Sequence, residues 1–247
     1  MSRYDVYFNE VNISYYCDVE LDIERRLPEW EPTLVSVPAS NVAIFGGTHA
    51  LPLEIGMTLI TADGFDRGAR QNLIRDLSRI LAVTEPKRLK LGDEHGLYRM
   101  ALPKGEIEIT QHLNADEVHV TFVCPDPRLF GDNESVSIGT SLVSHYVFGT
   151  ASPSSVVVRA TATPNSSGIW RIEDQTTGEH MELTGLSTGT SHSVIIDCSA
   201  RNVSVDGVVR MLSIASDWFT LSPTGTHKLR ITVGSGTATL EYQEMWW

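Results

Sequence analysis

The stretch Ser193-Val194-Ile195-Ile196-Asp197-Cys198, followed by Val203-Ser204-Val205-Asp206-Gly207-Val208-Val209, decides the architecture. Two β-branched runs are separated by a few small polar residues, and the second turns back at Asp-Gly. Asp-Gly accepts the left-handed backbone of a two-residue type I′ hairpin turn. The same rhythm recurs outward in both directions. Val156-Val157-Val158 precedes the breaker Thr163-Pro164-Asn165-Ser166-Ser167-Gly168, and Ile169, Arg171 and Glu173 then alternate with Trp170 and Ile172. Gly178 closes a turn. Trp218 to Leu221, Lys228 to Val233 and Thr237 to Tyr242 read as further strands. Strands spaced about 8–12 residues apart with turn signals between them predict a β-sandwich.

Before residue 131 the pattern is different. Tyr4, Val6 and Phe8 alternate with Asp5 and Tyr7, Asn9-Glu10-Val11-Asn12 breaks the run, and Ile13 to Tyr16 resumes it, as in a hairpin. Residues 28–52 contain Pro28, Pro32, Pro38 and Pro52 and read as an exposed, partly extended loop with Gly46-Gly47 as a turn inside it. Residues 53–62 read as a strand with Leu53, Ile55, Met57 and Leu59 on one face. A single helix follows: Asp66 is placed to cap it, Leu73, Ile74, Leu77, Ile80 and Leu81 form one apolar stripe, and Pro86 ends it. Glu106 to Thr110 and Val118 to Phe122 read as two strands joined by Asn114-Ala115-Asp116, and Gly131-Asp132-Asn133-Glu134 as a turn or linker. The expected fold is mainly β. Residues 1–131 form an α+β domain with one helix on an antiparallel sheet, and residues 132–247 form a β-sandwich.

Composition narrows the function. The 247 residues carry 31 acidic against 19 basic side chains, a net charge of −12, with mean hydropathy −0.08. Excess acid repels phosphate backbones and anionic lipid, so specific nucleic-acid binding and membrane docking are not expected. Met1 to Asp5 shows neither the apolar core nor the cleavage site of a secretory signal. Three cysteines, Cys17, Cys124 and Cys198, then read as reduced thiols.

Each catalytic pattern fails on its requirements. Gly185-Leu186-Ser187-Thr188-Gly189 has the spelling of a nucleophile elbow, but that turn needs a helix behind it, and Thr190-Ser191-His192 leads into a strand. His112 and His119 face each other across the 114–116 turn without an evident third metal ligand. Glu106 and Glu108, about 7 Å apart along a strand face, read as solvation rather than as a glycosidase pair. No P-loop or dinucleotide-binding glycine pattern occurs. No catalytic, cofactor or metal residues are therefore assigned, no cofactor is expected, and the chain is read as a non-enzyme. The terminal Met245-Trp246-Trp247 is expected to pack on its own protein or on a partner.

A set of motifs carries a resemblance. Phe8-Asn9 and Val11-Asn12 lie in the first hairpin, followed by Arg25-Arg26-Leu27-Pro28, Gly46-Gly47 and the helix near 67–82. Cys124-Pro125-Asp126-Pro127-Arg128-Leu129-Phe130-Gly131 introduces the β domain. That domain holds Ile195-Ile196-Asp197-Cys198, Arg201, Val203 and Asp206-Gly207, then Trp218-Phe219, Leu221, Pro223 and Gly225 ahead of Glu241-Tyr242 and Trp246-Trp247. Across nearly its whole length the chain resembles the distal tail protein family of long, non-contractile-tailed phages. It departs from the family pattern at Phe45-Gly46-Gly47-Thr48, where an acidic residue is usual, and at Thr224, which interrupts a proline-glycine step.

The resemblance implies an N-terminal belt domain that closes into a homo-hexameric ring and a C-terminal galectin-like sandwich that projects outward. It implies a structural hub at the virion tail tip, made in the host cytoplasm, between the tail-tube protein and the tail-tip hub, fibre or tail-associated protein. DNA is expected to pass through the ring along an acidic lumen. The 28–52 segment is expected to be the arm that reaches a neighbouring copy. The alternative is a carbohydrate-binding module that reads host cell-wall sugars through Trp170, Trp218 or other aromatics.

Overall fold

A computed structural model of the chain describes residues 5–16, 18–20, 29–36, 43–60, 67–94, 96–111, 116–153 and 155–247. It forms two compact units. One contains residues 1–129 together with Trp247, and the other contains Phe130–Trp246.

The first unit is built from β1 (Val6–Phe8), β2 (Val11–Asn12), β3 (Asp18–Glu20), β4 (Trp30–Ser36), β5 (Ala43–Ala50), β6 (Leu53–Ile60), helix α1 (Arg67–Leu81), β7 (Lys87–Leu91), β8 (Arg99–Gln111) and β9 (Asp116–Cys124). Seven strands make one sheet in the order β2-β1-β7-β8-β9-β6-β3, and among the described residues β4 and β5 pair with each other alone. Alternation sorts the side chains, because successive residues of a strand face opposite ways. Ile55, Met57 and Leu59 of β6, Val118, Val120 and Phe122 of β9, and Leu89 and Leu91 of β7 are buried together. The helix adds Leu73, Leu77, Ile80 and Leu81 to the same core, while Ile74 stays half-buried at the margin of the stripe. Phe8 packs on Phe122 with ring centroids 4.9 Å apart. The helix stops at Leu81, short of Pro86, and Asp66 lies outside the described residues.

The second unit contains β10 (Leu129–Ile138), β11 (Val143–Val147), β12 (Val156–Thr163), β13 (Trp170–Asp174), β14 (His180–Leu183), β15 (His192–Asp197), β16 (Asn202–Val205), β17 (Val208–Arg210), β18 (Gly225–Val233) and β19 (Ser235–Trp246). A six-stranded sheet, β10-β19-β12-β15-β16-β17, faces a four-stranded sheet, β11-β18-β13-β14. Their inner faces share one core with the fully buried Trp170 among Ile172, Met181, Leu183, Ile196, Leu229 and Leu240. Antiparallel pairing holds throughout, for example Val158↔Ile196 and Val158↔Leu240 across the middle of the larger sheet. Asp206 and Gly207 take φ of 52° and 80°, the left-handed pair that a type I′ turn requires. At the β18–β19 turn, Gly236 has φ of 117°, and an added Cβ would lie 1.9 Å from the Thr161 carbonyl oxygen, so the ladder needs a residue without a side chain there.

Five sequence expectations are corrected. Residues 28–52 are not a loop, because β4 and β5 occupy most of the segment. Pro32 fits there because a two-stranded ribbon leaves an outer edge that needs no donor. Gly46-Gly47 is not a turn but lies at a register shift opposite Thr33 and Leu34, with Gly47 at φ 124°. Ile13–Tyr15 is a 3-10 turn rather than a strand, since the Asn12 side chain accepts from Ser14 N–H at 2.9 Å and caps it. Gly131-Asp132-Asn133-Glu134 is no linker: it runs inside β10, at the edge of the larger sheet, with Asp132 to Ser135 exposed. Residues 218–221 bury Phe219 and Leu221 without joining a sheet. Thr220 satisfies its N–H and hydroxyl on the Glu179 carboxylate, at 3.0 and 2.8 Å, instead of on a neighbouring strand.

Candidate assembly surface

Chemistry needs a cleft with converging groups, and among the described residues the sequence candidates are not brought together. Gly185 to Gly189 is a loop running into β15; its Ser187 carbonyl accepts from the Thr190 hydroxyl at 3.1 Å. His119 sits beside Thr58, with Nδ1 3.0 Å from the hydroxyl, and beside Glu117 at 3.7 Å, while His112 lies outside the described residues. Glu106 lies within an irregularity and Glu108 at its end: the β8–β9 register shifts between Lys104 and Glu108, and Gly105 has φ of 77°. The side chains of Glu106 and Glu108 lie outside the described residues. Among the described residues no three His, Cys, Asp or Glu side chains are grouped to hold a metal, and no described helix is long and apolar enough to cross a membrane. Cys124 and Cys198 are buried free thiols; Cys17 lies outside the described residues.

Trp170 is fully buried and Trp218 packs against the sandwich core, so neither offers an exposed aromatic platform. Of the terminal residues, Met245 is buried and forms a β-bridge with Ala151, and β19 carries the chain through Trp246 within the second unit.

The feature that stands out is the β4–β5 ribbon. From Pro32 to Thr48 the sequence contains no charged residue, in a chain that is 20 % charged. Such a run is the composition of an interior, yet Leu34, Val35, Ile44 and Phe45 are 62, 52, 59 and 63 % exposed. Leu34 pairs with Phe45 and Val35 with Ile44, so the apolar side chains are gathered at one end of the ribbon. An isolated two-stranded ribbon is marginally stable in water and lacks a face to bury. Charge is confined to its base, where His49 Nε2 lies 3.4 Å from Glu31 and Leu51 N–H donates to the Glu29 carbonyl at 2.8 Å.

The base is also where the first unit holds Trp247. Its ring packs on Trp30 with centroids 4.7 Å apart, and the Arg128 guanidinium lies 5.7 Å from its ring centroid. Asp126 aims that guanidinium: its Oδ2 accepts from Arg128 Nη2 at 2.6 Å and its Oδ1 from Nε at 2.9 Å. Burial pushes the Asp126 carboxyl up, but the hydrogen bonds and charge of Arg128 outweigh it and hold the group below its ordinary value. The Cys-Pro-Asp-Pro-Arg motif is thus a clamp: Cys124 closes the core and Asp126 fixes Arg128. No sequence motif flags the ribbon; the signal that marks it is the charge-free run itself.

Comparison with known proteins agrees with this architecture. Residues 149–246 match the family model described as the siphovirus-type tail component, C-terminal domain. Over 100 % of this chain and 100 % of the other, the fold is similar to the crystal structure of the Dit (gp 19.1) protein of phage SPP1, described as a paradigm of the hub adsorption apparatus in Gram-positive infecting phages, with a TM-score of 0.78 at 14 % identity. A chain of the phage P2 baseplate in its activated conformation with Ca aligns over 98 % of this chain and 97 % of its own, with a TM-score of 0.47 at 7 % identity. No curated protein matches the chain. Residues 149–246 thus match the model of the siphovirus-type tail component, C-terminal domain, and the whole chain shares the fold of the SPP1 Dit protein.

Proposed function

We propose that the chain is a structural hub of a phage tail tip, in which six copies close head-to-tail into a ring that joins the tail tube to the tail-tip or baseplate proteins. The observation that carries this reading is the charge-free ribbon, whose exposed Leu34, Val35, Ile44 and Phe45 require a cover. A ring needs heterologous contacts, in which one surface of a protomer meets a different surface of the next. The fold shared with a protein described as a hub adsorption apparatus supports the tail-tip location. The chain acts in this reading by shape rather than by bond-breaking. It is made in the host cytoplasm and carried in the virion, and the net charge of −12 keeps DNA in transit from adhering.

Light scattering coupled to size exclusion on the purified full chain tests the reading. A particle of about six chain masses is expected, and a monomer at all concentrations contradicts it.

One observation favours a second reading, binding of cell-wall carbohydrate. Tyr146 and Phe148 are both exposed and pack edge-to-face with centroids 4.8 Å apart, an aromatic surface a sugar ring can stack on. A glycan array probed with the chain and with its Phe148→Ala variant tests it. Signal lost in the variant supports this reading, and no signal from either chain rejects it.

A further inference from the structure

One side of the sandwich joins an aromatic surface to a group of carboxylates. Strand β10 is the outermost strand of the six-stranded sheet, and β11 is the outermost strand of the four-stranded sheet. Around β11, Leu142, Tyr146 and Phe148 are exposed, and the Tyr146 and Phe148 rings meet edge-to-face. The Phe148 N–H donates to the Glu244 side chain, which fixes a carboxylate beside the ring pair. Glu134 and Asp132, both exposed on β10, lie close enough to Glu244 to act on its charge. Burial and Glu134 push the Glu244 carboxyl up, the Phe148 N–H pulls it down, and Asp132 pushes it up again, so the group stands above its ordinary value.

This charge has no local counterweight. From Leu129 to Val158 the sequence contains no lysine or arginine. His145 Nε2 pairs with the Tyr242 hydroxyl at 2.7 Å, and burial holds the imidazole below 6.5 against the pull of Glu134, so it is neutral at pH 7. On the neighbouring strand β18, Lys228 stands opposite Ser144 and Thr226 opposite Tyr146. The nearest basic side chain of that strand is thus at the end of β11 away from Phe148. An uncharged sugar stacked on the rings leaves the three carboxylates repelling one another. A cation placed beside Phe148 relieves them.

We propose that the Tyr146–Phe148 surface takes an amino sugar whose amine is free and protonated, with the sugar ring stacked on the aromatic pair and the ammonium directed at Glu244. The inference rests on the carbohydrate reading above and names the class of sugar. An ammonium is attracted both by a carboxylate and by the face of an aromatic ring, so one group answers both halves of the surface. N-acetylation removes that charge and sets an amide and a methyl group against the carboxylates, leaving only the stacking. A lysine side chain carries the same charge on a flexible stem that must be ordered on binding, whereas a pyranose holds its amine on a rigid ring.

Isothermal titration calorimetry of the full chain compares three probes: a β-1,4-linked trimer of glucosamine, its fully N-acetylated counterpart, and trilysine. At pH 6 the amines are protonated, and 0.15 M salt screens attraction to the net charge of the chain beyond about 8 Å. The free-amine trimer is expected to bind about 10-fold more tightly than either other probe. Glu244→Gln and Phe148→Ala are each expected to weaken it by about 5–10-fold. Glu134→Gln, at an exposed position where folding is not at stake, is expected to weaken it in the same direction. Equal affinity for the two trimers, or no loss in either glutamine variant, overturns the inference while the carbohydrate reading stands. Trilysine that binds as tightly as the free-amine trimer assigns the surface to a basic peptide and overturns it too. Binding of neither trimer overturns both this inference and the carbohydrate reading.

Discussion

Leu34 and Phe45 stand directly opposite one another across the β4–β5 ribbon, and each leaves more than half of its surface in water. Cross-strand apolar pairs stabilise a ribbon by at most about 1 kcal/mol, too little to hold it as an independent element. Among the described residues the ribbon shares no sheet with the seven-stranded core. Deleting residues 30–50 is therefore expected to leave a folded chain, with its urea midpoint close to wild type, that no longer forms rings. Sedimentation showing intact rings from the deletion contradicts the arm role.

Burial pushes the Cys124 thiol up to about 12 and the Cys198 thiol up to about 11, where the reactive thiolate is scarce. At pH 8 both are expected to resist alkylation by iodoacetamide in the native chain and to react fully in urea. Peptide mapping by mass spectrometry reads each site separately, and rapid native labelling at either position rejects the buried assignment.

The His192–Asp206 pair gives a pH dependence with a defined sign. Its hydrogen bond to Asp206, aided by the Ser187 carbonyl, raises His192 above the ordinary 6.5, so this stabilisation is complete below 6.5 and fades as pH rises through the raised value. The same bond, with Ser193 N–H, lowers Asp206 below 3.8, so its share is present above 3.8 and fades as pH falls through the lowered value. The pair is at full strength between those limits. His192→Gln is expected to lower the melting temperature more at pH 5.5 than at pH 8.5. An equal or larger loss at pH 8.5 contradicts the assignment.

Asp174 and His227 form a polar pair inside the sandwich, with each side chain 2 % exposed. Ser222 N–H donates to His227 Nε2 at 3.1 Å, leaving Nδ1 to carry the proton toward Asp174, whose Oδ1 also accepts from Thr176 N–H at 2.9 Å. Asp174→Ala strands these donors in the core and is expected to cost about 1–3 kcal/mol, the desolvation penalty of buried groups left unsatisfied. Urea unfolding measures it; a loss below about 1 kcal/mol shows that the site relaxes without the carboxylate.

Elements whose local pattern agrees with their tertiary role are readable from sequence. Leu73, Leu77, Ile80 and Leu81 mark the helix because its stripe is also its buried face, and Asp206-Gly207 marks its turn because the backbone demands it. The ribbon is hidden because Pro32 and Gly46-Gly47 carry breaker signals that a free-edged ribbon tolerates. Asp132 to Glu134 hide β10 in the same way, since an edge strand accepts polar residues that spell a turn elsewhere. Around Phe219 the error runs the other way: alternation there plugs the core without a partner strand. The candidate surface is harder to read than the fold. An apolar side chain such as Phe45 looks the same in sequence whether it fills a core or awaits a partner, and only its exposure separates the two.

Electron cryo-microscopy of the purified full chain tests the central claim most directly. Closed rings of about six protomers, each extending its β4–β5 ribbon onto the next copy, are the expected result. Isolated protomers, or pairs joined two-fold through the same surface with the ribbons left in solvent, contradict it.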